Sequence, residues 1–333
     1  MPSLLHDLQN PDRLPDPSQD VQVVQTHISI VFVADTFVYK VKKPVNFGFL
    51  DFSTLEKRHH FCGREIELNR RLSKDIYLDV LPVVFDGKSH SIGEGPGEIV
   101  EYAVKMKRIP DDKLMKSIFD KDDLSSDHLE RIAHMLADFH SKAHRDSDID
   151  RFGEPEKFRI NTDENFEQVK KYIGKTIGED QFQGLKRWTN DFYKSNRNLF
   201  DRRIKLGRIR DCHGDLHMEH VCFLDNVSAI DCIEFNDRFR YGDVLADIAF
   251  LLMDLEYRGG KDLADILWQK YSSVAGEGNA DVLLTFYKVY RAFVRGKVTS
   301  FQIDDESISA DKKEEAVKTA EKYFDLAYSY ISA

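Results

Sequence analysis

The pattern of apolar and polar positions changes character about a third of the way along this chain of 333 residues. Prolines at positions 2, 11, 15 and 17 break up the first stretch, which predicts a short helix followed by turns over residues 1–20. Branched and aromatic residues then crowd residues 21–25, 28–34 and 37–41, with an Asp35-Thr36 turn, and these read as strands. Over residues 52–72, Phe61, Ile66 or Glu65, Leu68 and Leu72 recur at helical spacing behind Ser53 as N-cap, with Glu56 three residues on. Strand signals return at 77–85 and 99–108, parted by a glycine-rich turn at 93–97. Three strands, a helix and two strands define a small α+β unit.

After Pro110 the spacing is mainly helical. Leu129, Ile132, Ala133, Leu136, Ala137, His140 and Ala143 form one apolar stripe behind Asp127 as cap. Further helices are predicted at 166–173, 182–200, 244–256 (capped by Asp243), 281–298 and 312–331. A hairpin over 221–224 and 229–233 turns through Asp225-Asn226. There is no internal repeat. The expected layout is an extension (1–20), a β-rich domain (21–108) and a helical domain (109–333).

Composition narrows the function classes. Hydrophobic residues at 41% and charged residues at 32% are ordinary for a globular protein. A net charge of −10 argues against a nucleic-acid binder, whose affinity rests on many cationic phosphate contacts. The four cysteines and the acidic, proline-containing start point to a reducing, cytoplasmic setting without disulfides. No stretch reaches the roughly 18 apolar residues of a membrane span.

The candidate chemistry lies in His213-Gly214-Asp215-Leu216-His217, followed by Asp231 and Glu234 at the end of an apolar run. An Asp two residues after a His, with a second Asp about fifteen residues on, is the layout of a phosphoryl-transfer site. One carboxylate orients the attacking hydroxyl, and the other holds the metal on the phosphates. Earlier in the chain, Phe37-Val38-Tyr39-Lys40 is a strand delivering a lysine to phosphate oxygens, and Glu65 on the following helix anchors it. Glu67 competes for that role, but its spacing to Leu72 is poorer. Lys42 and Lys43 are expected to be solvated. Strand 99–108 ends in Met106-Lys107-Arg108-Ile109, where backbone groups of Met106, Lys107 and Ile109 would meet a purine.

At this point the chain resembles the aminoglycoside phosphotransferase and choline kinase-like branch of the protein-kinase-like superfamily. The resemblance rests on His213-Gly214-Asp215-Leu216-His217-x-x-His220, Ile230-Asp231 and Gly242-Asp243-x-x-x-Asp247-Ile248-Ala249, and covers roughly residues 20–300. It is nearest to a bacterial subgroup sharing Lys40-x-Lys42-Lys43-Pro44 and Phe47-Gly48-Phe49-Leu50-Asp51-Phe52. It implies an α+β, two-lobed kinase fold that moves the γ-phosphoryl of ATP (or GTP), with Mg2+ or Mn2+, to a hydroxyl of a small molecule. Asp215 would then be the catalytic carboxylate and Asp231, with His220 beside it, the candidate metal ligand, while His213 and His217 orient the loop and Asp243 and Asp247 cap a helix and brace that loop.

Two positions depart from the family pattern. His220 stands where the family has Asn, and imidazole suits softer metals than Mg2+. The phosphate-covering turn Thr26-His27-Ile28-Ser29 lacks glycine, so hydroxyls of Thr26 and Ser29 are assigned to phosphate in place of bare backbone. Both departures leave open a nucleotide-binding pseudokinase with a regulatory role, and the fold also admits transfer of AMP. Cys212, Cys222 and Cys232 interleave with histidines but lack paired zinc-ligand spacing. Arg291, Arg295 and Lys297 read either as an anion-binding stripe or, more commonly, as a solvated face. No motif in the helical part names the acceptor.

Overall fold

A computed structural model describes residues 3–306 and 308–332. The chain folds into two compact units: unit 1 is Met1–Lys121 with Glu219–Asp237, and unit 2 is Asp122–Met218 with Arg238–Ala333. The boundary expected at residue 109 is therefore corrected twice. The break falls after residue 121, because Met115–Asp120 packs on Val221–Phe223 and Leu114 bridges to Cys222 within unit 1. Residues 219–237 return to unit 1, so the segment carrying Asp231 is built with the early strands and not with Asp215.

Unit 1 opens with α1 (Leu4–Leu8) and contains strands β1 (Gln22–Gln25), β2 (Ser29–Val33), β3 (Phe37–Lys42), β4 (Tyr77–Phe85), β5 (His90–Ile92) and β6 (Glu98–Lys107). They form one antiparallel sheet in the order β1-β2-β3-β6-β4-β5. The short β5 was not expected from the sequence; three residues carry too little alternation to register. Side chains alternate across β3, so Tyr39 and Val41 enter one core with Phe32, Val83 and Ala103. Val38, Lys40 and Lys42 face the other way, toward α2 (Leu55–Asn69), whose buried stripe is Cys62, Glu65, Ile66 and Asn69. The α2 cap is Thr54, whose side chain accepts from Lys57 N; Ser53, the expected cap, bonds to Asp51 instead. Helix α3 (Met115–Asp120) and the hairpin β7 (Val221–Phe223) and β8 (Val227–Ala229) complete the unit.

Unit 2 is helical: α4 (Ser126–Lys142), α5 (Ser147–Asp150), α6 (Pro155–Val169), α7 (Glu179–Ser195), α8 (Arg197–Lys205), α9 (Val244–Tyr257), α10 (Lys261–Ala275), α11 (Asp281–Phe301) and α12 (Ala310–Ser332). Ser125, not Asp127, caps α4, in a capping box with His128. A two-stranded piece, Ile209–Asp211 with Tyr241–Asp243, brackets the His213 loop and leads into α9. The core is aromatic, with Phe166, Phe182, Phe250, Phe293, Tyr323 and Phe324 packed together. Among the described residues no helix is long and apolar enough to cross a membrane.

Candidate active site

The candidate residues form two sets, one in each unit. In unit 1, Lys40 Nζ lies 2.6 Å from Asp231 Oδ1 and 2.9 Å from Glu65 Oε1. Lys42, two residues along the same strand face, donates to Glu65 Oε2 at 2.6 Å and also to Glu234. Glu65 is thus clamped between two lysines, and segment 231–234 is tied to β3 at both ends. Lys42 is only 2% exposed, which corrects the expectation of a solvated lysine. Lys43 is partly exposed and donates to Thr26 O at 2.6 Å.

The same segment is fastened by backbone contacts. Asp231 N donates to Tyr77 Oη (3.0 Å) and Cys232 N to Asn69 Oδ1 (2.9 Å). Asp231 is one of few non-glycine residues here with positive φ, at 62°. Such a conformation costs on the order of 1–3 kcal/mol and persists only where surrounding structure imposes it, which is characteristic of functional positions. His220 Nε2 is 3.6 Å from Asp231 Oδ2, and the His220 carbonyl accepts from Ile230 N.

Electrostatics follow from this arrangement. Burial pushes the Glu65 carboxyl up, but Lys40 and Lys42 outweigh it and hold the group low. Desolvation likewise works against ionised Asp231, and Lys40 with His220 overcomes it. At Glu234 burial wins, and the carboxyl is raised despite Lys42. Lys40 itself is held well above its ordinary value, because Asp231 and Glu65 outweigh burial. Two lysines therefore face three carboxylates, a set that leaves capacity for a further cation. Of the candidate metal ligands, Asp231 offers the hard oxygen that Mg2+ prefers, whereas the His220 imidazole suits Mn2+ better.

In unit 2 the loop at 213–217 is held by its own backbone. Gly214 has φ 89°, its N–H donates to Asp247 Oδ1 (2.9 Å) and its carbonyl accepts from Arg291 (2.8 Å). His213 is fully buried; its N–H donates to Asp247 Oδ2 (2.7 Å), and its Nδ1 accepts from Asp215 N (3.3 Å). Burial pushes the Asp247 carboxyl up, but the hydrogen bond and charge of His140, aided by His213 and Arg291, hold it low. His217 packs on Phe250, with Nε2 3.7 Å from Asp215 Oδ2. The Asp215 carboxylate stays partly exposed at the tip of this rigid turn.

Asp243 caps a helix as expected, and only its share in bracing the loop is corrected. Its oxygens are taken by Arg203 and Leu245 N, so it caps α9 and anchors a buried pair, while Asp247, one turn on, holds the loop amides. Thr26 Oγ1 accepts from Ile28 N and Ser29 N and donates to Ser29 O at 3.4 Å, so the hydroxyl assigned to phosphate closes its own turn instead. Ser29 is 1% exposed, so its hydroxyl lies inside unit 1. Met106 is buried, Ile109 packs against the same cluster and Lys107 is exposed at the end of β6. The four cysteines are free and buried, and burial pushes the Cys222 thiol up to about 11. Arg291 is buried, which corrects the solvated-face reading for that residue.

An antiparallel sheet with one ion-paired helix, joined in sequence to a helical part carrying a rigid His-Gly-Asp turn, defines a kinase-type phosphotransferase fold. The chain belongs to the phosphotransferase enzyme family, whose sequence model matches residues 54–283. It is 36% identical over 279 residues to the uncharacterized protein Rv2004c of Mycobacterium tuberculosis and equally to the uncharacterized protein Mb2027c of Mycobacterium bovis. The match covers 84% of this chain but 54% of each relative, so the chain spans about half their length. Similar solved structures include aminoglycoside 2'-phosphotransferase-IIIa in its GDP complex, with TM-score 0.51, 13% identity and coverage of 98% of this chain and 99% of that one. ADP-bound aminoglycoside phosphotransferase APH(2'')-Ib gives TM-score 0.50 at 18% identity, covering 92% and 95% respectively. These likenesses show the fold, which is the α+β kinase type expected.

Proposed function

We propose that this protein transfers the γ-phosphoryl group of ATP or GTP to a hydroxyl of a small-molecule acceptor. The observation that carries the reading is the Lys40–Glu65–Asp231 chain of contacts, with Asp231 held in a strained backbone conformation. A lysine pinned between two carboxylates is aimed, and on nucleotide binding its charge passes from Asp231 to phosphate oxygens. Met106, Lys107 and Ile109 supply apolar contact and backbone groups for the purine. Asp231 is the residue that would hold Mg2+ or Mn2+, with His220 as its neighbour; when bound, the metal neutralises phosphate charge. Asp215 accepts the hydrogen bond of the acceptor hydroxyl and aligns it for in-line attack. For a loose transition state this positioning matters more than basicity. His213 and His217 hold the turn and keep Asp215 aimed. The ADP and GDP of the two similar structures support either purine as donor. Four free, buried cysteines suit a reducing cytoplasm.

Asp215→Asn is expected to abolish transfer, assayed by mass spectrometry of metabolite extracts with ATP and Mg2+, while nucleotide binding by thermal shift persists. Retained turnover in that variant would remove Asp215 from its role. One observation favours a second reading, a nucleotide-binding regulator: His220 lies in ion-pair range of Asp231 and competes with a metal for it. Nucleotide binding without transfer of phosphate or AMP to any acceptor, with either metal, would select that reading.

A further inference from the structure

We propose that the acceptor is an uncharged polyol, and that a second of its hydroxyls enters a small cavity of unit 2 lined by Asn161 and Tyr290. The inference rests on the phosphotransferase reading and adds the charge of the acceptor and a place for its second hydroxyl.

Helix α6 turns a partly polar stripe inward, in which Phe158, Asn161, Thr162, Asn165 and Phe166 are all buried. Polar groups taken out of water need partners, and two of these three have them. Thr162 Oγ1 donates to Arg159 O (3.0 Å), and Asn165 Oδ1 accepts from Lys297 (2.7 Å). Asn161 is the exception. It is 6% exposed, and its Oδ1 has no hydrogen-bond partner among the described residues. Asn161 and Tyr290 line one cavity of about 20 Å³. The Tyr290 ring packs against Phe158 (4.9 Å between centres) and under the Arg291 guanidinium (5.4 Å), and its hydroxyl makes no hydrogen bond among the described residues. Burial raises the phenol, so it stays a proton donor. A space of this size admits one oxygen-sized group, since a water needs roughly 10–15 Å³.

Charge decides what that group is, because each ionic side chain on the lining is already engaged. Arg238 is paired with Glu164 (2.7 Å), Arg240 with Asp211, and Asp243 with Arg203 (2.7 Å). Asp247 accepts from the amides of His213 and Gly214, and Arg291 donates to Gly214 O (2.8 Å) and Ala246 O (3.1 Å). A carboxylate, phosphate or ammonium group would enter without a counter-charge, which burial penalises heavily. A neutral hydroxyl can donate to Asn161 Oδ1 and accept from Tyr290 Oη, which satisfies both open groups. The cavity is also tied to the reaction centre. Arg291 and Asp247 line it and at the same time clamp Gly214, the residue before Asp215. A molecule carrying several hydroxyls can present one to Asp215 and another to Asn161.

The test offers the full chain, with ATP and Mg2+, glycerol, D-ribose and myo-inositol as polyols, cyclohexanol as a mono-alcohol and choline as a cation. Transfer to a polyol is expected, with cyclohexanol and choline poorer by about tenfold or more in kcat/KM. Asn161→Leu and Tyr290→Phe are each expected to raise the polyol KM about tenfold, with the smaller change in kcat. Asn161→Leu should also melt no lower than wild type, because it exchanges an unpaired buried amide for an apolar group of like shape. An asparagine that served the fold, or held only an ordered water, would instead lower the melting temperature when replaced. Equal use of cyclohexanol or choline, an unchanged polyol KM in both variants, or a destabilised Asn161→Leu would each overturn the proposal. If none of the five compounds is phosphorylated, the phosphotransferase reading fails, and NMR of the Asn161 side-chain amide still decides the subsite. Titrating the three polyols should shift those signals saturably in wild type and not in Tyr290→Phe, and no shift with any of them would remove the cavity as a hydroxyl site.

Discussion

Replacing Lys42 by Met is expected to destabilise unit 1 by about 3 kcal/mol at pH 7.5, without touching the lysine assigned to phosphate. The magnitude follows from burial. The Lys42 side chain is 1% exposed and those of its partners Glu65 and Glu234 are 0% and 5% exposed. Removing one member of a buried pair costs about 3–5 kcal/mol, because the other charge is left without compensation. The loss falls unevenly: Glu65 keeps Lys40 at 2.9 Å, whereas Glu234 is deprived of the lysine that balances its burial. Glu234 has an escape, since its carboxyl is already raised above 4.5 by burial and can protonate; this places the cost at the low end. The sign with pH follows. A carboxyl raised in the folded state binds more protons folded than unfolded, so stability is favoured at low pH and lost as pH rises through the raised value. The variant's deficit must therefore shrink between pH 7.5 and pH 5. Calorimetric melting checks both points, with a drop of roughly 10 °C expected for a unit of this size. Lys42→Met/Glu234→Gln is expected to recover more than half of the loss, because no unpaired charge remains. A Lys42→Met protein within about 1 kcal/mol of wild type, or with the same deficit at both pH values, would refute the two-lysine clamp.

Lys297 carries a second prediction: burial, aided by Arg238 and only partly opposed by Glu164, lowers its pKa to about 8. Reductive 13C-methylation followed by NMR should give one lysine with a midpoint near 8, and a midpoint above 10 for Lys297 would contradict the packing described. Since the folded value lies below 10.5, wild type should gain stability relative to Lys297→Met as pH rises from about 8 to 10.5. Gly214→Ala should cost about 1–2 kcal/mol from the left-handed backbone alone. The hydrogen bonds of Gly214 to Asp247 and Arg291 leave the turn no freedom to relax, so transfer activity should fall more than stability does.

Much of the site was legible because its signals are local. The lysine on a strand, the carboxylate on the next helix and the His-Gly-Asp turn are each a short motif with a mechanism, and the structure brings Lys40, Glu65 and Asp231 into one chain of contacts. The domain boundary was not legible, because the return of residues 219–237 to unit 1 is a long-range contact that leaves no mark on composition. The caps slipped by one or two positions, to Thr54 and Ser125, because adjacent Ser, Thr and Asp residues satisfy the same rule.

Lys42 is the instructive miss, since the signal was present. Strand side chains alternate with period two, so a strand that aims Lys40 at the α2 face aims Lys42 there as well. Glu65 then has two suitors, and Glu234, three residues beyond Asp231, is the carboxylate left to balance the second. On the proposed phosphotransferase reading, Lys40 and Lys42 divide their work. Lys42, sealed in with Glu234, fixes the position of the segment bearing Asp231 whether or not nucleotide is present. Lys40, less buried and in contact with Asp231, has a charge that can be transferred. A site built with only one lysine would lose the alignment of Glu65 whenever that lysine turned toward phosphate. Under the proposed function, the second lysine would let the first one move without disturbing the carboxylate that aims it.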